Sequence, residues 1–449
     1  MKICLISSGD YFSSYGGGQV YVKSLALGLI SAHVDLEIIS IMLASQASIP
    51  EIKQRDIDTI RIWEIRIPIS FLRRSTQVEL LEEVCQALEK VVRAIKPDLI
   101  HAHGWKATAA IVANQIDIPY IITAHHGGLI CPNGMLMNIQ DQPCNLPVSE
   151  KNCLGCNLSF VPGGRFWRPI IKYVPHKLRI AIGKFLVTIR NIPYLSPAWR
   201  IPIGIQNKSA QIEVISRLCS RVIAPSRSIA MALERNGFPV EKISLIPHGI
   251  ELLTSQPISP GLPGRALRFG YVGRISYIKG LHVVLSALQN LVDPKSIEFH
   301  IFGEAATKYE HIYKSKLECQ AEGLPVFWHG KIEREAIAGA YAMVDIVLLP
   351  SICTEFFGLV LLEALSVGRP IIASRCGGPE DIVIDGQNGM LVPVNDPIAL
   401  AAAIQYFLDS PIRVKEMSAN IGAINTLTSH VEELLRTYES ERAAHSIKC

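Results

Sequence analysis

The stretch that decides the fold runs Pro350-Ser351-Ile352-Cys353-Thr354-Glu355-Phe356-Phe357-Gly358-Leu359-Val360-Leu361-Leu362-Glu363-Ala364-Leu365-Ser366. Before it, Asp345–Pro350 is short, apolar and closed by a proline, which reads as a buried strand. After Gly358 the apolar residues Leu359, Leu362 and Leu365 recur at helical spacing, and Gly368-Arg369-Pro370 stops the helix. Glu355 therefore belongs to a strand-to-helix loop, and Glu363 to the helix, about two turns from its start. Amides at the head of that helix, around Gly358, Leu359 and Val360, form a seat for a phosphate. The plainer reading makes both glutamates solvent-facing helix residues. A charge in a loop ahead of Phe356-Phe357-Gly358 has no packing purpose, which favours the ligand reading.

Working outward, short apolar runs alternate with helical patterns twice over. The first half gives Ile3–Ile6, Leu36–Ile41, Leu99–Ala102 and Tyr120–Thr123. The second gives Phe269–Val272, Glu298–Phe302, Val326–His329, Ile346–Leu349 and Ile371–Ala373. Such alternation predicts βαβ units and two doubly wound α/β domains, with ligands at the carboxyl ends of the strands. A chain of 449 residues is too long for one ordinary core. The joint is expected near Pro247–Arg265, a stretch rich in proline and glycine. The predicted domains are 1–247 with 427–449, and 248–426. Hydrophobic residues make up 49% and charged residues 19%, which excludes a disordered chain. No apolar run reaches the roughly 18 residues of a membrane span, and Met1–Ser7 reads as a strand, not a secretory leader. A cytoplasmic protein, soluble or peripheral to the membrane, is expected.

Other segments fit the same picture. Arg274 and Lys279 follow the strand Phe269–Val272 through Gly273, so two cations leave a strand end where a guanidinium fork and an ammonium suit a diphosphate. Gly16-Gly17-Gly18 lies between the first strand and a helix beginning near Val20, where backbone can approach a ligand closely. His125 closes the strand Tyr120–Thr123. His101 and His103 share one face of another strand end; with no third metal ligand evident, they are read as hydrogen-bonding groups.

The glutamate pair with its intervening residues resembles the signature of the family 4 glycosyltransferases, retaining nucleotide-sugar enzymes of the GT-B fold. Thr123-Ala124-His125, Ala224-Pro225-Ser226-Arg227, Ile246-Pro247-His248-Gly249-Ile250, Gly270-Tyr271-Val272-Gly273-Arg274 and Asn388-Gly389-Met390-Leu391-Val392-Pro393 match in the same order. The resemblance implies two Rossmann-like domains facing a cleft and a final helix, around His430–Arg442, that crosses back to the first. It implies that Arg274 and Lys279 contact the donor diphosphate. Glu363 is then expected on the ribose, Glu355 on the transferred sugar, and His125 near the reacting centre. Gly16, Gly17, Gly18 and Gly273 would complete the donor site. No metal would be needed for catalysis, since protein cations take its place. His126 stands where the family often carries aspartate or glycine. Glu380 resembles a nucleotide-side position, yet an acidic residue heading a helix needs no ligand to explain it.

Two features stand outside that core. Cys131, Cys144, Cys153 and Cys156, four of eleven cysteines, fall in a loop with a C-x-x-C pair, like a set carried by a subgroup of the same family. They suit a structural zinc; an iron–sulfur cluster or free or redox thiols are the alternatives. Between Lys151 and Ile212 there are ten Lys and Arg and no Asp or Glu, while the whole chain carries only +4. Within this basic amphipathic segment (165–210), cations interleave with aromatic and aliphatic residues, as in a helix lying on anionic lipid. A helix packed on its own domain with basic stems over apolar surface is the plainer reading. Nucleic acid is disfavoured because no recognition motif accompanies the charge. The expected activity is transfer of a sugar from a nucleoside diphosphate to a lipid-linked or glycan acceptor. The rivals are a catalytically silent donor-binding scaffold and another GT-B enzyme, such as a nucleotide-sugar epimerase.

Overall fold

The structure, a computed structural model, describes residues 1–9, 17–45, 48–57, 60–71, 78–188, 195–253 and 265–447. They fall into two compact units. Met1–Ile139, Asn145–Ile246 and Leu427–Cys449 make the first, and Gln140–Cys144 with Pro247–Thr426 the second. Gly16 and most of the expected joint, 254–264, lie outside the described residues.

The first unit is built on eight strands: β1 (Lys2–Ser8), β2 (Asp35–Ala44), β3 (Glu51–Ile57), β4 (Ile60–Pro68), β5 (Leu99–Ala102), β6 (Tyr120–Thr123), β7 (Arg221–Ala224) and β8 (Ile243–Leu245). Their order is β3-β4-β2-β1-β5-β6-β7-β8, parallel except where β3 meets β4. Buried runs such as Leu99–Ala102 and Tyr120–Thr123 need an apolar cover on both faces, which helices supply. The β3–β4 hairpin was not among the expected strands, because its sequence is heavily charged. Glu64, 5% exposed on β4, is tolerated there by Arg55 at 2.7 Å and Arg66 at 2.9 Å. Helix α1 (Gly17–Ser31) starts at Gly17, three residues before the expected Val20. It packs on the C-terminal helix Leu427–Ser446 so tightly that a Cβ on Gly28 would lie 2.8 Å from Val431 Cγ2.

After β6 the chain makes a helical insertion: α2 (Glu150–Ser159), α3 (Gly164–Tyr173), α4 (His176–Thr188) and α5 (Ser196–Leu218). Ser149 caps α2 by accepting from Asn152 N at 3.2 Å. Leu158, Ile171, Leu186, Trp199 and Ile205 form its own small core.

The second unit has six parallel strands: β9 (Leu267–Val272), β10 (Ile297–Phe302), β11 (Val326–Gly330), β12 (Ile346–Leu349), β13 (Ile371–Ser374) and β14 (Gly389–Val392). Their order, β11-β10-β9-β12-β13-β14, reverses between β9 and β12. In a doubly wound sheet the crevice outside that reversal point is where ligands bind. Helix α6 (Leu359–Ser366) follows β12, with Gly358 at φ +103° as its N-cap. Glu363 sits about 6 Å along α6 at 1.5 Å per residue, one turn in instead of the expected two.

Candidate active site

In the second unit the site grows from the ends of β9 and β12. Gly273 leaves β9 at φ +151°, and its carbonyl oxygen lies 1.8 Å from where a Cβ on Gly303 would sit, so only glycine fits at 303. The chain then turns through Arg274 to Lys279. Two features press that turn against the loop after β12. Ile352 N donates to Ile278 O at 3.0 Å, and a Cβ on Gly280 (φ +72°) would stand 1.9 Å from Pro350 O. Lys279 is thereby delivered to Glu355, its Nζ 2.5 Å from Oε1. Ser351 Oγ donates to the same oxygen at 2.5 Å, and Oε2 has no partner among the described residues. The backbone of Glu355 is clamped as well: its N–H donates to Cys376 O and its carbonyl accepts from Gly378 N, both at 2.8 Å.

The electrostatics follow from this geometry. Burial raises the Glu355 carboxyl, but the Lys279 charge and hydrogen bonds from Lys279 and Ser351 outweigh it and bring it below 4.5. Burial lowers Lys279 in turn, and the Glu355 charge reverses this and holds it above 10.5. Both groups stay ionised at neutral pH. Behind them, the first amides of α6 at Leu359 and Val360 have no acceptor within the helix. Arg274 is more exposed and pairs with Glu310 at 3.1 Å.

Glu363 is held differently. It is 4% exposed, with Oε1 on Arg334 Nη1 and Oε2 accepting from Tyr341 Oη at 2.8 Å. Arg334 and Tyr341 carry no sequence motif, and 29 and 22 residues separate them from Glu363. Glu380, open to two readings in the sequence, accepts from Gly377 N at 3.1 Å, which ties its own helix start.

In the first unit a cavity of about 250 Å³ opens at the carboxyl ends of β1 and β5, lined by Ser7, Ser8, Gly18, Gln19, His103 and His125 among others. Gly17 and Gly18 lie in the first turn of α1, and a Cβ on Gly18 would come 3.8 Å from His125 Cβ. His125 Nε2 is 2.5 Å from His103 Nδ1, and its ring lies 4.6 Å from that of Tyr21. His101 stands behind them, fully buried between Tyr438 Oη at 2.6 Å and Thr123 Oγ1 at 2.7 Å. Burial, with smaller effects from His430 and Lys106, pushes it down to about 3, so it is neutral. The Lys106 charge, then burial, takes His126 to about 4, and its Nδ1 accepts from Gly128 N.

Cys144 belongs to the second unit, where Gln142 Nε2 donates to Val394 O at 3.3 Å and Asp141 accepts from Tyr277. Cys131, Cys153 and Cys156 belong to the first. Asn133 lies 2.9 Å from Cys131 Sγ and 3.9 Å from Cys156 Sγ. Among the described residues no three His, Cys, Asp or Glu are grouped to hold a metal ion. No described helix is long and apolar enough to cross a membrane.

Two Rossmann-like units with mainly parallel sheets are the architecture of the GT-B fold. Residues 255–423 match the glycosyl transferases group 1 family and residues 16–145 the glycosyl transferase 4-like domain. Together these two matches support a family 4 glycosyltransferase of the GT-B fold. D-inositol 3-phosphate glycosyltransferase of Xylanimonas cellulosilytica is 29% identical over 218 residues, 45% of this chain and 52% of that protein. Phosphatidyl-myo-inositol mannosyltransferase of Mycobacterium leprae is 29% identical over 204 residues, 43% of this chain and 53% of that one. The chain thus spans about half the length of these curated relatives. In fold it is similar to Anabaena HepE, crystallised with UDP and glucose, at a TM-score of 0.64 and 18% identity, covering 98% of this chain and 100% of that one.

Proposed function

We propose that this protein transfers a sugar from a nucleoside-diphosphate donor, with retention of anomeric configuration, to a lipid-linked or glycan acceptor. The observation that carries the reading is the Lys279–Glu355 pair at the β9/β12 reversal point, beside the open amides of α6. A departing diphosphate needs fixed positive charge, and Lys279, Arg274 and the amides of Leu359 and Val360 supply it without a metal. Arg274 is itself exposed although its partner Glu310 is mostly buried, so its guanidinium can turn from Glu310 to a diphosphate. Glu355 Oε2 is free for hydroxyls of the transferred sugar, and Ser351 and Lys279 hold the carboxylate in place. Glu363 would reach a ribose when half-exposed Arg334 gives way. Within the first unit, His125, held by His103, is the residue read as serving the reacting centre.

HepE, whose structure holds UDP and glucose, supports a nucleotide-sugar donor, and the phosphatidyl-myo-inositol mannosyltransferase supports a lipid-borne acceptor. The anionic face of a membrane is then the working place, on the cytoplasmic side where nucleotide sugars are used. The test is a thermal-shift screen over UDP-, GDP- and ADP-sugars followed by a transfer assay. Stabilisation by one donor class together with transfer supports the reading. Stabilisation with neither transfer nor hydrolysis points to a silent scaffold.

A zinc held by Cys131, Cys144, Cys153 and Cys156 is a separate proposal, supported by the approach of Cys131 and Cys156 to one asparagine. Close to one zinc per chain, lost when Cys153 and Cys156 become serine, would uphold it. Metal-free protein with four reactive thiols would remove it.

A further inference from the structure

The helical insertion of the first unit holds a second cavity, of about 380 Å³, set between α2 and α3. Its walls carry Lys151 from α2 and Arg168 and Lys172 from α3. The only carboxylate in the lining, Glu150, is already engaged: Arg179 Nε stands 2.8 Å from it and His176 contacts its other oxygen. Arg179 is itself tied down, donating to Ile171 O at 3.1 Å and Lys172 O at 3.3 Å. None of Lys151, Arg168 and Lys172 has a carboxylate partner among the described residues. Gly155 makes the space: a Cβ there would sit 3.1 Å from Arg168 Nη2. The cavity therefore holds three uncompensated cations around a volume open to an anion.

Helix α3 shows what kind of anion. At about 100° per residue its side chains fall into three stripes. Trp167 and Ile171 face the small core of the insertion, with Ile171 fully buried. Arg165, Arg168 and Lys172 form the cationic stripe beside the cavity. Phe166, Ile170 and Tyr173 form the third, and they are 71%, 45% and 86% exposed. Leu178 and Phe185 on α4 add exposed apolar surface at 51% and 64%. Large apolar side chains standing in solvent next to unpaired cations match a ligand that is an anion at one end and a hydrocarbon at the other.

We propose that this cavity is a head-group site: Lys151, Arg168 and Lys172 grip the phosphate of an anionic lipid while Phe166, Ile170 and Tyr173 enter its acyl region. The proposal deepens the membrane setting of the transferase reading, and it rests on that setting.

The test uses the full chain and its variants, with two probes. The first is short-chain phosphatidic acid, against inorganic phosphate, in free solution. The second is phosphatidylcholine vesicles with and without phosphatidylglycerol. Arg168→Gln/Lys172→Gln should lose short-chain phosphatidic acid binding and cut partition onto the phosphatidylglycerol vesicles about 30-fold, the scale of two basic groups at an anionic surface. Lys177→Gln/Lys184→Gln makes the same charge change on α4, outside the cavity, and should keep phosphatidic acid binding. Phe166→Ser/Tyr173→Ser should lose the vesicles and keep inorganic phosphate. Equal losses from the two charge variants would mean diffuse attraction and no built site, which overturns the proposal. Phosphate binding by a parent that ignores vesicles would assign the cavity to a free phosphate and overturn the lipid. Titrating a donor sugar into the same proteins keeps the two readings apart. Unchanged donor affinity with a failed lipid test refutes the head-group site alone, whereas a parent that binds no donor refutes the transferase reading and leaves the lipid result standing.

Discussion

Lys279 Nζ lies 2.5 Å from Glu355 Oε1, although 76 residues separate the two in the chain. The pair forms because β9 and β12 are neighbours at the reversal of the sheet and because Gly280 lets its turn rest against Pro350. It sets the charge on both residues, and the first predictions concern what happens when it is broken.

Lys279→Ala and Arg274→Ala should each lower the transfer rate by about 100-fold or more, the scale of removing one preorganised donor to a developing charge. Far-UV circular dichroism should not change. Steady-state kinetics with a saturating acceptor reads the effect. Rates within threefold of the parent would take these residues out of the diphosphate site.

Gly280→Ala tests how the pair is assembled. The alanine meets both a positive φ and a carbonyl 1.9 Å from its Cβ, so the turn must shift and carry Lys279 away from Glu355. Activity should fall as in Lys279→Ala, with a lower melting temperature as well. Full activity in a stable Gly280→Ala protein would show that the turn does not position the lysine.

The pair also leaves a pH signature. Glu355 titrates below its ordinary 4.5, so its contribution to stability is present above that value and disappears as the pH falls through its folded value. Lys279 is raised above 10.5, so its contribution is present below that value and disappears as the pH rises through its folded one. Urea unfolding of parent and Glu355→Gln should therefore converge in acid and differ at neutral pH. A constant difference across the acid range would contradict the assignment.

His101 adds acid sensitivity of the same sign, beginning at a higher pH. It is buried neutral at about 3 against an ordinary 6.5, so protons bind the unfolded chain first and stability declines as the pH drops from 6.5 towards 3. Tyr438→Phe removes the hydroxyl 2.6 Å from its Nδ1 and should cost about 1–3 kcal/mol, the penalty for one unsatisfied buried polar group. Chemical denaturation measures it. A loss under a few tenths would mean that the C-terminal helix is docked by packing alone, through contacts such as Gly28 with Val431.

Much of this was legible in the chain. The buried strands β1, β5, β6, β12 and β13 are short apolar runs bounded by turns, and each lies where its pattern puts it. The loop position of Glu355 follows from Gly358, whose φ of +103° ends the strand-side geometry and opens α6. What could not be read is long-range pairing. Nothing local ties Arg334 or Tyr341 to Glu363, or Tyr438 to His101. The β3–β4 hairpin hides behind charge that only its ion pairs explain, Glu64 with Arg55 and Arg66 among them.

The central claim is that Lys279 and Arg274 hold the diphosphate of the donor. Calorimetric titration of UDP against UMP, repeated with the GDP/GMP and ADP/AMP pairs, isolates that group from base and sugar. For the base that binds, the parent should prefer the diphosphate by at least about 10-fold, or 1.4 kcal/mol. Arg274→Ala/Lys279→Ala should bind the two nucleotides equally. A parent that does not distinguish them, or a preference that survives the loss of both cations, would contradict the account.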